Sequence, residues 1–391
     1  MITFQEAQAI ISQTQPQLAT ERADYREALN RILAEDIFAD TDMPPFDKSA
    51  MDGYACRQDD LATPLQLVGQ IPAGVSTTHV LQTGECMRIM TGAPVPAGAD
   101  CVIIHEHTEV MPDGRIRFLP TSTSRNICYK GEDIRQGERI LNKGERLLSQ
   151  HLAILSGTGA TRPLVYKRPV AGILTSGDEL VEPEQKPGTS GIRNSNAYQL
   201  EGQIRSMGAF AKYLGIVPDD PQISVEMISK ALHECDILLI TGGVSAGDYD
   251  FIPAALEQIG VQLHFHSLAV QPGRPTLFGT WNEKFVFGLP GNPVSSFVQF
   301  ELLVKPLLFR MMGHIFRPLV PLLPMGTTIQ RRKTKRLAFL PVKIDEDGMV
   351  RPVEYHGSAH IQAYVLADGL ISLDIGQHEI KEGDLVRVRL I

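Results

Sequence analysis

Four short segments carry residue types suited to holding and cleaving a phosphate ester. The first, Thr241-Gly242-Gly243-Val244-Ser245-Ala246-Gly247-Asp248-Tyr249-Asp250, combines glycines, hydroxyls and two carboxylates. Glycine lets backbone N–H groups come close to phosphate oxygens, and Ser or Thr adds hydroxyl donors. Asp248 and Asp250 suit a hydrated Mg2+, which takes one or two carboxylates beside phosphate oxygens. The second, Gly288-Leu289-Pro290-Gly291-Asn292-Pro293-Val294-Ser295-Ser296, has a cap residue and a first-turn proline at the start of a helix. Free N–H groups there attract anions. Thr175-Ser176-Gly177-Asp178-Glu179 supplies two more carboxylates, and Asp219-Asp220 a further two that read equally as a solvated loop or a helix cap. Any one of these is an ordinary turn; four at one edge of a sheet point to a phosphate ligand with a divalent ion.

The elements around them predict that shared edge. From Pro169 onward, buried-strand runs (Val170 to Leu174, Tyr213 to Val217, Asp236 to Ile240, Leu263 to Val270, Phe285 to Phe287) alternate with helical stretches. The helices run over Asn196 to Met207, Ile223 to His233, Phe251 to Ile259 and Val294 to Met312. This alternation predicts an α/β, doubly wound sheet, whose ligands bind beyond the carboxyl ends of the strands. Thr3 to about Phe38 reads as helices, opened by a Thr3–Glu6 capping box, and helical periodicity returns between Leu147 and Leu155. Between them, short apolar runs cut by Pro and Gly predict an inserted β domain. The proline-rich stretch Arg317 to Pro324 is a linker, and beyond it alternation and the Asp347-Gly348 turn predict more β structure. The expected domains are therefore a helical one from 1–40 with 137–168, an inserted β domain over 41–136, the doubly wound domain over 169–315 and a C-terminal β domain over 316–391.

Several function classes are disfavoured by composition. The 391 residues exceed one core of ordinary size. A net charge of −8 is the wrong sign for non-specific nucleic-acid binding. The five cysteines are odd in number, scattered and without a C-x-x-C pair, so reduced thiols in a reducing compartment are expected. The N-terminus is not a signal peptide and no apolar run reaches the roughly 18 residues of a membrane span. A cytoplasmic protein without membrane or nucleic-acid partners is the expectation.

Other motifs are weaker. Ser49 to Ala55 and Arg88 to Pro96 are turn-like, and Arg125, Lys130, Glu132, Asp133 and Arg135 suit a solvated face. His105-Glu106-His107 on a strand would aim both imidazoles to one side, but no third ligand is near. Arg331-Arg332-Lys333-Thr334-Lys335-Arg336 fits a solvated β edge or a small-anion site.

Taken together, Ser49 to Ala55 (SAMDGYA), Arg88 to Pro96 (RIMTGAPVP), Gly131-Glu132-Asp133, Gly177-Asp178-Glu179-Leu180, Thr241 to Asp250 and Gly288 to Ser295 stand in an order and spacing that resembles the molybdopterin molybdenumtransferases, the MoeA and gephyrin E-domain family. The resemblance covers essentially the whole chain. It implies a multidomain fold with a molybdopterin-binding α/β domain and a C-terminal β-barrel-like domain. It also implies a homodimer in which the inserted β domain of one subunit faces the α/β domain of the other. The implied reaction inserts molybdenum from molybdate into adenylylated molybdopterin with Mg2+-dependent release of AMP. Implied partners include the molybdopterin adenylyltransferase and recipient molybdoenzymes, in passing contact. Carried over by motif, Asp52, Asp133, Glu179 and Asp250 are the acidic catalytic residues, with Glu179 and Asp250 at the metal. Thr91, Asp178, Asp220, Gly242, Gly243, Ser245, Asp248, Gly291, Asn292 and Ser295 are implied for substrate, with Asp219 the alternative to Asp220. The family's oxyanion segment Lys-Pro-Gly-Lys-Pro corresponds to Gln271-Pro272-Gly273-Arg274-Pro275, so Gln271, Arg274 and Pro275, with Arg336 and Ser358, are implied for molybdate. Arg274 keeps a forked cationic donor; Gln271 gives up a charge.

Overall fold

The computed structural model describes residues 1–16, 19–120, 122–244 and 251–391. Its central unit runs β1 (Val170–Ser176), α1 (Asn196–Ser206), β2 (Phe210–Val217), α2 (Pro221–Glu234), β3 (Ile237–Thr241), α3 (Ile252–Ile259), β4 (Gln262–Phe265), β5 (Leu277–Trp281), β6 (Lys284–Leu289) and α4 (Pro293–Gln299). The sheet order is β2-β1-β3-β6-β5-β4. The first four strands are parallel, and β5 runs antiparallel to both β6 and β4. All five residues of β3 are buried, as expected of a strand covered on both faces. Pleating sends Ile237 and Leu239 into one core with Leu200, Ile204 and Val298, and Leu238 and Ile240 into another with Ile228, Leu232 and Leu256. The doubly wound expectation is met, with a correction at one edge. The sequence reading missed β5, because its hairpin with β6 turns on Asn282 at φ 54°, without the Gly that usually marks such a turn.

The expected strand over Leu263 to Val270 is two. β4 stays in the central sheet, whereas Val270–Gln271 leaves it and pairs in parallel with Leu337–Ile344 of the C-terminal sheet. The helix expected over Val294 to Met312 passes through a π turn at Phe300–Val304 before continuing as Lys305–Met311.

The first forty residues are less helical than their periodicity suggests. One helix, Phe4–Gln13, is held by the Thr3–Glu6 capping box. Thr20–Arg22 then pairs with Leu164–Tyr166, and Ile37–Phe38 with Arg139–Leu141. The expected second helix is interrupted by Asn30 at φ 64°, so Ile32 and Leu33 are buried through isolated bridges to Arg146 and Val165. In the returning segment the helix is Ser149–Gly157.

The inserted β segment is built on a four-stranded sheet in the order Gln66–Ile71, Glu85–Ile89, Gly53–Cys56, Cys101–Ile104. His105–His107 is a single exposed 3-10 turn and not a strand; among the described residues no three ligating groups converge on a metal site. The end of the expected linker is also strand: Leu322–Pro324 pairs with Leu385–Arg387. Gly348, at φ 77°, makes the expected turn between Leu337–Ile344 and Val350–Pro352. No described helix is long and apolar enough to cross a membrane.

Candidate functional site

The parallel strands of the central sheet end at one cleft of about 690 Å3. Thr175, Ser176 and Gly177 reach it from β1, Thr241, Gly242 and Gly243 from β3, and Pro290, Gly291 and Asn292 from β6. Close approach of backbone explains the glycine at 242. Its φ is 92°, and a Cβ there would stand 2.3 Å from the Ser176 carbonyl oxygen. Side-chain amides fix the floor. Asn196, the first residue of α1, donates to the Thr241 hydroxyl (2.9 Å) and the Gly291 carbonyl (2.7 Å), and Thr241 donates onward to Pro290 O (2.9 Å). Asn194 donates to Thr175 Oγ1 (3.0 Å) and the Tyr213 hydroxyl (2.9 Å). The Tyr213 hydroxyl in turn donates a hydrogen bond to Glu182 (2.6 Å), and burial followed by that hydrogen bond pushes its pKa up. The strand ends are thereby locked before any ligand arrives.

Glu179 and Asp219 also line the cleft, and both carboxylates are free of hydrogen bonds to other described residues. The pair Asp219-Asp220 thus separates. Asp220, implied for substrate, accepts from the N–H groups of Gln222 and Ile223 (2.9 Å each) and caps α2. With Pro221 at the first helical position, its carboxylate is spent on the helix. Asp178 points at the neighbouring backbone and accepts from Asp219 N (3.0 Å). Ser295 is buried and off the cleft wall. Ser245, Asp248 and Asp250 lie outside the described residues.

The residues of the oxyanion set are dispersed, and only Pro275 among them lines the cleft. Pro275 belongs both to the cleft and to an adjoining cavity of about 550 Å3, which Arg274 lines with His266 and Ser267. Gln271 lies opposite Ala338 in the short parallel pairing, next to Val270, whose carbonyl accepts from Arg336 (3.4 Å). Ser358 Oγ accepts from the Asn292 amide (2.9 Å), and the following residue, Ala359, reaches the cleft.

Asp52, Thr91 and Asp133 do not line this cleft. They sit exposed in the inserted β segment. Asp52 accepts from both the backbone N–H (2.6 Å) and the hydroxyl (2.7 Å) of Thr91. Those two bonds hold its carboxyl below the usual carboxylate range. Sequence reasoning missed Arg193, Asn194 and Asn196 on the wall of the cleft. The Asn-Ser-Asn run was their only signal, and it looks like a plain helix start.

A largely parallel sheet with a glycine-lined cleft at its strand ends, two carboxylates on the wall free of hydrogen bonds to other described residues, and amide-locked strand ends defines a doubly wound α/β domain with a ligand cleft inside a larger chain. Residues 172–310 match the family model described as "Probable molybdopterin binding domain". Residues 2–159 match the MoeA N-terminal region, domains I and II, and residues 327–391 the MoeA C-terminal region, domain IV. The chain is 34% identical to the molybdopterin molybdenumtransferase of Haemophilus influenzae, over 99% of this chain and 98% of that protein. It is 36% identical to the Bacillus subtilis molybdopterin molybdenumtransferase, over 78% and 74%. The crystal structure of the molybdopterin biosynthesis moeA protein from Pyrococcus horikoshii OT3 superposes with a TM-score of 0.85 at 31% identity, each chain covered in full. The chain belongs to the molybdopterin molybdenumtransferase family and is a transferase of molybdenum-cofactor biosynthesis.

Proposed function

We propose that the protein inserts molybdenum from molybdate into adenylylated molybdopterin, with Mg2+-dependent release of AMP. The observation that carries this reading is the cleft itself, where glycine backbone and a helix start meet two carboxylates without partners among the described residues. The backbone N–H groups of Gly243, Gly291 and Asn292, which donate to no carbonyl among the described residues, are available to phosphate oxygens. Glu179 and Asp219 suit Mg2+, which needs only one or two carboxylates when phosphates and water complete its shell; Asp250 joins them on sequence grounds. Bound there, Mg2+ would supply positive charge at the phosphoanhydride. Arg274, in the adjoining cavity, and Arg336, beside the Val270 carbonyl, serve molybdate, while Asn194 and Asn196 keep the strand ends in place. Mixing the purified protein with adenylylated molybdopterin, Mg2+ and molybdate should release AMP and leave molybdenum bound to the pterin. Wild-type AMP release from Glu179→Gln would remove that residue from the reaction, and no release from the parent protein would end the proposal.

The working unit in this reading is a homodimer, acting in the cytoplasm and in passing contact with the adenylyltransferase and recipient molybdoenzymes. Asp52 and Asp133 support it, because both are exposed and away from the cleft of their own chain. A second copy would bring them to its partner's cleft. Mixing inactive Asp52→Asn with inactive Glu179→Gln should restore activity, since a mixed dimer has one intact site. No recovery, together with light scattering that reports an active species of 43.0 kDa, would refute shared sites.

A further inference from the structure

We propose that Gln299 is a positioning residue that sets the loop 271–276, and with it Arg274, at the rim of the cleft. The inference rests on the reading of Arg274 as an anion contact given above.

Gln299 is the last residue of α4, the helix that opens at the cleft with Pro293, and it is fully buried. Its amide Nε2 donates to the carbonyl of Pro272 at 2.9 Å. The loop lies directly on this side chain. A Cβ at Gly273 would stand 2.4 Å from Gln299 Nε2 and 2.6 Å from its Cγ, and Gly273 itself has φ 105°. Only glycine permits both the conformation and the approach.

The next two carbonyls of the loop are satisfied locally. Gly273 O accepts from the Thr276 hydroxyl (2.8 Å), and Arg274 O accepts from the N–H groups of Leu268 (2.8 Å) and Thr276 (3.0 Å). Those bonds fix the shape of the loop. Gln299 alone among these donors belongs to α4, so it fixes where that shape sits. Above it, the exposed Arg274 guanidinium makes no hydrogen bond or ion pair among the described residues, which leaves its donors available for an oxyanion.

A second observation bears on what the amide is for. Gln299 Oε1 is buried without a hydrogen-bond partner among the described residues. A buried unpaired oxygen is unfavourable, and an apolar side chain of the same size would avoid it. The amide is explained by its N–H, not by packing. Its role is indirect: it touches the loop and acts through Arg274.

Calorimetric titration of molybdate into the full-length protein tests this, with Gln299→Leu, Arg274→Ala, the double variant, and Val298→Ala as a packing control. Val298 is the adjacent, fully buried residue of the same helix. Loss of the anchor should weaken binding in Gln299→Leu by roughly tenfold, because misplacing a charged donor by about 1 Å forfeits most of its contact. Val298→Ala should stay within about twofold of wild type even though cavity formation lowers its melting temperature. The double variant should bind no more weakly than Arg274→Ala, since Gln299 acts only through that arginine. Equal weakening in Val298→Ala, an unaffected Gln299→Leu, or additive losses in the double variant would each overturn the proposal. An unaffected Arg274→Ala would instead overturn the anion reading beneath it. Should Gln299→Leu fail to fold, Gln299→Met keeps length and packing without the donor and takes its place.

Discussion

Asn292 donates its side-chain amide to the Ser358 hydroxyl across 2.9 Å, joining the helix start at the cleft to a loop of the C-terminal domain. A backbone bond from Val294 N to Ser358 O (3.1 Å) runs beside it. The C-terminal domain is thereby registered against the cleft by two adjacent contacts, one of which a mutation can remove. Asn292→Ala and Ser358→Ala should each destabilise modestly. A double-mutant cycle in urea should return a coupling of about 0.5–1.5 kcal/mol. A coupling near zero would mean that the backbone bond alone holds the two segments together.

The two glycines that follow the neighbouring ends of β3 and β6 should differ sharply in tolerance. Gly242 has φ 92° and would drive a Cβ into the Ser176 carbonyl, so Gly242→Ala should cost about 1–3 kcal/mol or more. A Cβ at Gly291 would meet nothing nearer than the Gly242 Cα at 3.5 Å, an ordinary contact. Gly291→Ala should therefore fold like wild type and lose function only by narrowing the cleft. Melting curves of the two variants separate these outcomes; equal destabilisation would contradict the geometry.

Asp52 offers a pH test away from the cleft. Its carboxyl is held down first by the Thr91 N–H and then by the Thr91 hydroxyl. A depressed folded-state pKa contributes stability that is present above the unfolded pKa and lost as pH falls through the folded one. Thr91→Val removes the smaller of the two causes and keeps the N–H. NMR titration of the Asp52 carboxyl carbon should then give a pKa raised towards, but still below, the ordinary carboxylate value. The midpoint of the acid loss should move to higher pH in the variant, and the stability that the hydroxyl bond contributes at neutral pH should be lost. An unmoved Asp52 pKa would show that the hydroxyl contributes nothing.

What was legible in the sequence is what local pattern encodes. Five consecutive buried residues at Ile237–Thr241 and the glycines after them announce a covered parallel strand and a close backbone approach. Asp220-Pro221 carries a cap signature, yet two adjacent aspartates gave no means of choosing until the helix start assigned one to the cap and the other to the cleft. Contacts between distant segments were hidden. Val270–Gln271 joins the C-terminal sheet by pairing with Leu337 and Ala338, more than sixty residues away, so periodicity merged it with the preceding strand. Asn196 looked like an ordinary first-turn residue, because its partners Thr241 and Gly291 are brought to it only by the fold. Asn30 was a further trap. Apolar residues at helical spacing around it suggested a helix that its left-handed backbone forbids.

Gln271 provides the sharpest test of the molybdate reading. It is exposed in its short strand, one residue from the carbonyl that Arg336 contacts, and two residues before the turn that carries Arg274. If it stands at the anion, Gln271→Lys adds a charged donor where the chain now has a neutral amide. A charged hydrogen bond is worth roughly 1.5–3 kcal/mol before desolvation and ordering costs, so about tenfold tighter molybdate binding is expected. Because the new bond is ionic, raised salt should reduce the gain. The plain alternative is that Gln271 only completes the pairing with Ala338 and leads into Pro272. Titrating molybdate into Gln271→Lys at low and high ionic strength distinguishes the two. A tighter, salt-sensitive complex places residue 271 at the anion. Unchanged affinity alongside a weakened Arg274→Ala would keep the pocket and exclude Gln271 from it, and indifference to both substitutions would move molybdate elsewhere.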